Sequence, residues 1–340
     1  MTDRNLFEQQ EHNKRRSTWL TAGFVLFTAW VGFGGDLGFY LLTRDAGPGE
    51  YRHVVPVIGL IASLIAGGVA LFSWKRGAQQ VLSASKAREV VDPATPEERQ
   101  LVNIVEEMAI ASGVPKPRIW IVPDDDPNAF ATGPDPERAH VAVTAGLLRM
   151  LNRDELQGVV AHEMAHVRNY DIRLMTLLAG MIGAIVLLSD MMRNFLRFGG
   201  GRRSNSRGGK KDANPLALLV LGLWLISLIL APIVTRLLAM SISRKREFLA
   251  DATGAQFTRN PAALASALAK LDGSGAPTRF IARGAAHMCI VDPAERRFAG
   301  KSGFLGMMAS HPPIEERVAR LRAMSFLGPD GSRAVESLPG

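Results

Sequence analysis

Residues 154–171 read DELQGVVAHEMAHVRNYD, and this stretch decides the fold. Within it His162-Glu163-Met164-Ala165-His166 has the form H-E-x-x-H. Residues four apart share one face of an α-helix, so both imidazoles can reach one metal ion, and Glu163 beside them can act on a metal-bound water. Two histidines and a carboxylate around zinc leave a fourth position open for water, the arrangement of a hydrolytic site. Leu156, Val159, Val160 and Met164 recur at helical spacing, and Asp154, after the turn-like Asn152-Arg153, reads as the N-cap. Gly158 and Ala161 leave room for close packing. The plainer alternative is a pair of ordinary helical histidines beside a solvated Glu163.

A third ligand has to come from elsewhere. The long form of the motif requires Gly at 169 and His at 172, where this chain has Asn169 and Ile172. A cysteine ligand upstream is excluded because the only cysteine, Cys289, lies downstream. A carboxylate from another helix remains, and Glu247 in 243–251, SRKREFLAD, is the best candidate. Glu247 and Asp251 are four apart and share a face; one can bind metal while the other accepts the free N–H of a ligand imidazole. Glu247 could instead pair with Arg244 or Arg246 on a helix surface.

Four motifs together resemble those of the HtpX membrane-embedded zinc metalloproteases, relatives of the type I CAAX prenyl protease. They are HEMAH, SRKREFLAD, NAFATG at 128–133, and SHPPIEER at 310–317. Their order matches too, and the resemblance runs from about residue 95 to 325. It implies an α+β, mostly helical chain: a zincin-type protease domain with a small β-sheet, attached to transmembrane helices. It implies one Zn2+ per chain on His162, His166 and Glu247, Glu163 as general base, and Asp251 behind a ligand imidazole. It also implies that Asn128, Ala129, Phe130, Ala131, Thr132 and Gly133 form an edge strand that pairs with extended substrate; the alternative is an ordinary turn before a strand. His311, in the His-Pro element, is expected near the metal, as an oxyanion donor or as a fourth ligand in a latent state, unless it only caps the following helix. Arg317 is a candidate for orienting the His311 loop, and His287 reads as structural.

The rest of the chain suits a membrane enzyme. It is 47% hydrophobic with a net charge of +8 over 340 residues and a mean hydropathy of +0.08. A folded domain attached to a few membrane segments gives such an average. The basic charge clusters beside apolar segments, and no nucleic-acid motif is present, so anionic lipid is the expected partner rather than nucleic acid. One cysteine excludes an intrachain disulfide and suits a reducing compartment. Apolar segments at 18–42 and 54–74 are long enough to span. Asp36, near the end of the first, reads as a solvated interfacial carboxylate. Lys14, Arg15 and Arg16 before the pair and Lys75 and Arg76 after it place both flanks in the cytoplasm.

Thr95 to Gly113 reads as a capped helix, and 118–122 and 140–144 as short strands. A second apolar pair, 174–189 and 215–235, encloses a flexible loop with seven basic residues. Spanning by this pair would place those charges outside, against the positive-inside tendency. The helix at 313–324 carries Arg317, Arg320 and Arg322 on its polar face. The organisation expected is therefore a cytoplasmic segment at 1–17, two transmembrane helices with a short external loop in 18–76, a first part of the protease domain at 84–172, the second apolar pair at 173–240, a second part with the third ligand at 241–327, and a loose tail at 328–340. An integral protein of the plasma (inner) membrane with its site facing the cytoplasm suits unfolded or misassembled membrane proteins as substrates. The alternatives are a prenyl-protein protease, or a scaffold that keeps the fold without the activity.

Overall fold

Two long helices head the chain: α1 (Leu6–Thr43) and α2 (Val57–Ala84). Each contains a stretch long and apolar enough to cross a membrane, Asn13–Gly38 and Val57–Ala84. Trp19, Leu26, Trp30, Ile61, Leu64 and Leu71 face outward from them. A soluble domain would bury that much apolar surface, whereas a lipid phase accepts it. The computed structural model describes residues 6–43, 47, 52–180, 219, 222–224, 226, 244–274, 278–281, 286–291 and 311–325. The basic loop, most of the second apolar pair and the 328–340 tail lie outside these residues.

Asp36 departs from expectation. It is 3% exposed, not solvated. Its carboxylate accepts the backbone N–H groups of Ile58 and Gly59 and contacts His53 Nε2 at 2.7 Å. It therefore satisfies orphan donors in the first turn of α2 and ties the two helices together at one end. Gly32 permits the close crossing, since a Cβ there would lie 2.7–2.8 Å from Ala62 and Gly59. Within the 215–235 segment, the Trp224 indole N–H donates to the Val31 carbonyl at 2.6 Å, against the first apolar segment.

Helix α2 continues past Lys75 and Arg76 and carries Val81 and Leu82 into a core with Trp120, Phe130, Leu174 and Leu178. A four-stranded sheet follows, ordered β1-β2-β4-β3, from β1 (Arg88–Glu89), β2 (Arg118–Val122), β3 (Ala129–Thr132) and β4 (His140–Thr144). β2 and β4 run parallel, and β3 pairs antiparallel with β4 as the edge strand. Helix α3 (Pro96–Ser112) has the expected caps: the Thr95 side chain accepts the Glu98 N–H, and Gly113 closes the helix at φ 70°. Short helix α4 (Ala145–Met150) leads into α5 (Arg153–Arg168), the H-E-x-x-H helix.

The N-cap of α5 is Asn152 rather than Asp154. Asn152 Oδ1 accepts the Glu155 N–H at 2.9 Å, and Glu155 returns a bond to the Asn152 N–H at 3.0 Å, a reciprocal capping box. Asp154 sits two positions further in, where its charge still complements the helix dipole. Beyond the undescribed segment come α6 (Arg244–Thr258), α7 (Pro261–Asp272) and α8 (Ile314–Ser325). Their apolar faces join those of α3, α5 and the sheet in one core.

Glycines set the depth at which α6 and α7 meet α5. A Cβ on Gly158 would lie 3.0 Å from the Leu264 backbone, and one on Gly254 would lie 3.0 Å from His162 N and 3.2 Å from Ala161 C. The Gly254 contact presses α6 against the turn of α5 that carries the first histidine. Gly254→Ala is expected to push these backbones apart and destabilise the fold by about 1–3 kcal/mol. Chemical denaturation in detergent measures it, and an unchanged unfolding midpoint would show that the helices have slack.

Candidate active site

The three residues that the sequence singles out as ligands meet. His162 and His166 lie one turn apart on α5, and Glu247 comes from the first turn of α6. One ligand atom from each lies within 4.8 Å of the other two. His162 Nε2 and His166 Nε2 are 3.2 Å apart, and each is 3.6 Å from a different oxygen of Glu247. All three side chains are buried. Glu247 is no half of a surface pair: its neighbour Arg246 turns instead to Asp171, 3.3 Å away.

The donors fit a cation. Both oxygens of Glu247 are buried and make no hydrogen bond of proper geometry within the described residues. A buried carboxylate without hydrogen bonds is costly, and a divalent ion at the convergence of two imidazoles and a carboxylate removes that cost. Without metal, burial opposes the Glu247 charge, but His311 and His162 outweigh it and hold the carboxyl well below its usual range. Burial likewise pushes the His162 imidazolium down, yet Asp251 and Glu247 carry it up to about 9. Two imidazoles and a carboxylate suit zinc.

Each imidazole is held from behind. Asp251 Oδ1 lies 2.9 Å from His162 Nδ1, as the i, i+4 spacing on α6 allows. Asp171 Oδ2 lies 3.1 Å from His166 Nδ1. Such carboxylates fix the tautomer and orientation of a ligand imidazole. Sequence reasoning missed Asp171, although it closes the quoted stretch five residues after His166.

Arg317 was expected on the polar face of its helix and is instead fully buried, at 0% exposure. Its Nε and Nη2 donate to the two oxygens of Asp251 at 2.8 and 2.7 Å, and Nη1 donates to the Ile290 carbonyl at 2.9 Å. Its i+3 neighbour Arg320 does stay outside and stacks on Phe248. Arg317 thus orients Asp251, and through it His162, rather than only the His311 loop. Burial raises the Asp251 pKa, but Arg317 dominates the balance and holds it down to about 2.

Glu163 is buried to 1% exposure, which excludes the solvated reading. Burial pushes its carboxyl upward, against the opposing pull of His162 and His166, and the Ala131 N–H faces it. Its Oε1 has no hydrogen-bond partner among the described residues. His311 joins the cluster, with Nδ1 3.2 Å from Glu247 Oε2, so its ring is engaged at the ligand cluster rather than at the start of α8. His287 lies elsewhere, its Nε2 3.3 Å from the Met175 carbonyl.

The 128–133 stretch forms the edge strand expected, but the edge is covered. The Thr144 N–H donates to the Asn128 carbonyl, so alternation along the antiparallel pair turns Ala129 and Ala131 outward and Phe130 toward β4. The outward Ala129 carbonyl accepts the Ile290 N–H at 3.0 Å, and Asn128 Nδ2 donates to the Val291 carbonyl at 2.8 Å. Thr132 and Gly133 are fixed through the Thr176 hydroxyl, which contacts the Thr132 hydroxyl at 2.8 Å and accepts the Gly133 N–H at 3.0 Å. Nothing local in the sequence indicates that residues 290 and 291 return to this edge.

A metal-ligand cluster of this kind, on a chain headed by two membrane-length helices, belongs with the membrane metallopeptidases. The profile of Peptidase family M48 matches residues 95–325, and the chain is a member of that family. Relatives described as "Protease HtpX homolog" align along nearly all of it. That of Streptococcus gordonii is 41% identical over 320 residues, covering 94% of this chain and 100% of its own. Those of Caldanaerobacter subterraneus subsp. tengcongensis and Thermoanaerobacter pseudethanolicus are 42% and 40% identical over 328 and 327 residues, each covering 96% of this chain and 100% of its own. A crystal structure of S. mikatae Ste24p aligns with a TM-score of 0.41 and 20% identity over 89% of this chain and 66% of that one. The resemblance read from the motifs holds: this is an HtpX-like metalloprotease.

Proposed function

We propose that the chain cleaves peptide bonds in unfolded or misassembled membrane proteins, using one zinc ion held by His162, His166 and Glu247 at a site facing the cytoplasm from the plasma (inner) membrane. The convergence of these three buried side chains, with both Glu247 oxygens lacking hydrogen bonds among the described residues, carries the reading.

Zinc, when bound, supplies Lewis acidity toward the substrate carbonyl and acidifies water. Glu163 takes the proton of the attacking water on its unpaired Oε1 and passes it to the leaving amine. Burial, which favours the neutral carboxyl, suits a group that must hold a proton between the two steps. His311 is placed to donate to the developing oxyanion. Asp251 with Arg317, and Asp171, keep the two ligand imidazoles in place. An extended substrate pairs with the outward carbonyls of Ala129 and Ala131, while the Ala131 N–H stays with Glu163. Pairing at Ala129 requires Ile290 to give up that carbonyl.

The test starts from the full chain purified in detergent under chelation. Adding zinc is expected to load about one ion per chain and to restore cleavage of an unfolded membrane protein. Folded protein that takes up no zinc, or that takes it up and still does not cut, rules the proposal out.

A further inference from the structure

The turn that follows α5 is strained. Asn169-Tyr170 form a turn between α5 and the helical residues that begin at Asp171, with Tyr170 at φ 60°, the left-handed region. For a bulky residue this costs about 1–2 kcal/mol, so the surroundings must hold it. The restraint comes from the first helix. The Asn13 side-chain amide donates to the Asn169 carbonyl at 2.9 Å and to Asp171 Oδ1 at 2.9 Å. One amide has two N–H protons, and here both go to the two ends of one turn. Lys14 lies over the Tyr170 ring, 4.4 Å from its centroid. Asn13 is buried, and so is Ser17, whose hydroxyl donates to the Asn13 carbonyl. Asp171 also accepts from Arg246 Nη1 at 3.3 Å, and its other oxygen meets His166 Nδ1 at 3.1 Å.

We infer that Asn13 is a positioning residue for the metal site: by clamping the turn and Asp171, it sets the orientation of the His166 imidazole from the membrane-anchoring helix. The inference rests on the proposal that His166 binds zinc. Asp171 has to present one oxygen to His166, and it can do so only while its other oxygen and the strained backbone are held. Arg246 supplies one restraint, at a longer distance, from the same helix as Glu247. Asn13 supplies the shorter one and is the only contact described that grips the Asn169 carbonyl together with Asp171. The start of α1 is then part of the support of the active site as well as a membrane anchor.

The experiment uses the full chain in detergent, with Asn13→Leu, which keeps the volume and removes both donors. The readout is the zinc dissociation constant, measured by competition with a chelator of known affinity. Loss of an outer carboxylate or its support weakens metal binding by about 10–100-fold, and a loss in this range is expected. In an Asp171→Ala background, Asn13→Leu is expected to change zinc affinity little further, since the contact through which it acts is already gone. Thr21→Ala, on α1 but away from the turn, is expected to bind zinc as wild type does. Should Asn13→Leu not be recovered folded, Asn13→Ala is read in the same way. A purely structural role would lower the unfolding midpoint of the chelated protein and leave zinc affinity unchanged, and that outcome overturns the inference. Equal losses in the wild-type and Asp171→Ala backgrounds overturn it as well. A failure of the zinc proposal itself looks different: His166→Ala would then bind zinc as tightly as wild type.

Discussion

Replacing Glu163 with glutamine is expected to slow peptide cleavage by about 10²–10⁴-fold while zinc content stays at the wild-type level. The substitution keeps the shape of the side chain, and its carbonyl oxygen can still accept the Ala131 N–H that faces the carboxylate. What it removes is the ability of Oε1 to take a proton. Among the described residues that oxygen has no other partner, so the amide group replacing it breaks no existing bond. No proposed ligand atom is touched, because the atoms proposed to face the metal belong to His162, His166 and Glu247. Single-turnover cleavage of an unfolded substrate, with zinc content measured on the same preparation, separates the two properties. A rate within about threefold of wild type would mean that another group is the base. Zinc lost together with activity would mean that Glu163 shapes the ligand cluster rather than serving it.

Arg317→Met is expected to destabilise the metal-free protein by about 3–5 kcal/mol. The guanidinium is fully buried and gives two hydrogen bonds to Asp251 and one to the Ile290 carbonyl. Methionine fills much of the space and leaves a buried carboxylate and a carbonyl without those donors. Breaking a buried pair costs far more than the pair is worth against an apolar substitute, because the remaining carboxylate keeps only His162 as a charged partner among the described residues. The double variant Arg317→Met/Asp251→Leu is therefore expected to recover part of the loss, a coupling that a double-mutant cycle measures.

The pH dependence has a definite sign. In the wild type Asp251 is held down to about 2, below its ordinary value of 3.8, so its contribution is present above about pH 4 and is lost as the pH falls toward 2. Without Arg317 only His162 opposes the upward push of burial, so the same carboxyl rises. The deficit of Arg317→Met should then be largest near neutrality and shrink as acid protonates Asp251. Unfolding midpoints of the chelated proteins between about pH 4 and 8 test this. A deficit that does not vary with pH would show that lost packing, not the stranded charge, is the cause.

Much of the site was readable along the chain because its parts repeat at helical distances. His162 and His166 are four apart, as are Glu247 and Asp251, and on a helix that spacing alone puts both members of a pair on one side. The ends of α3 were readable for a similar reason: Thr95, Pro96 and Gly113 act on backbone groups within a turn of themselves. The misreadings came from interactions that compete locally or arrive from afar. Asp154 and Asn152 are both good caps, and the reciprocal bond with Glu155 chose Asn152. Arg317 has the charge and the neighbours of a surface residue, and only the approach of α6 gives it a buried acid. Asp36 reads as a solvated interfacial carboxylate until the start of α2 is brought against it.

By itself, then, the sequence determined that His162 and His166, and likewise Glu247 and Asp251, would each share a helix face, and that the first two apolar segments are long enough to span a membrane. Periodicity, capping and segment length are properties of neighbours in the chain, and they survive without a fold. Tertiary structure decided what holds those residues in place: Arg317 on Asp251 across 66 residues, Asn13 on Asp171 across 158, and Asn128 on Val291 across 163. Each joins distant segments through polar groups, made worthwhile by burial, and burial comes into being only once the helices have packed.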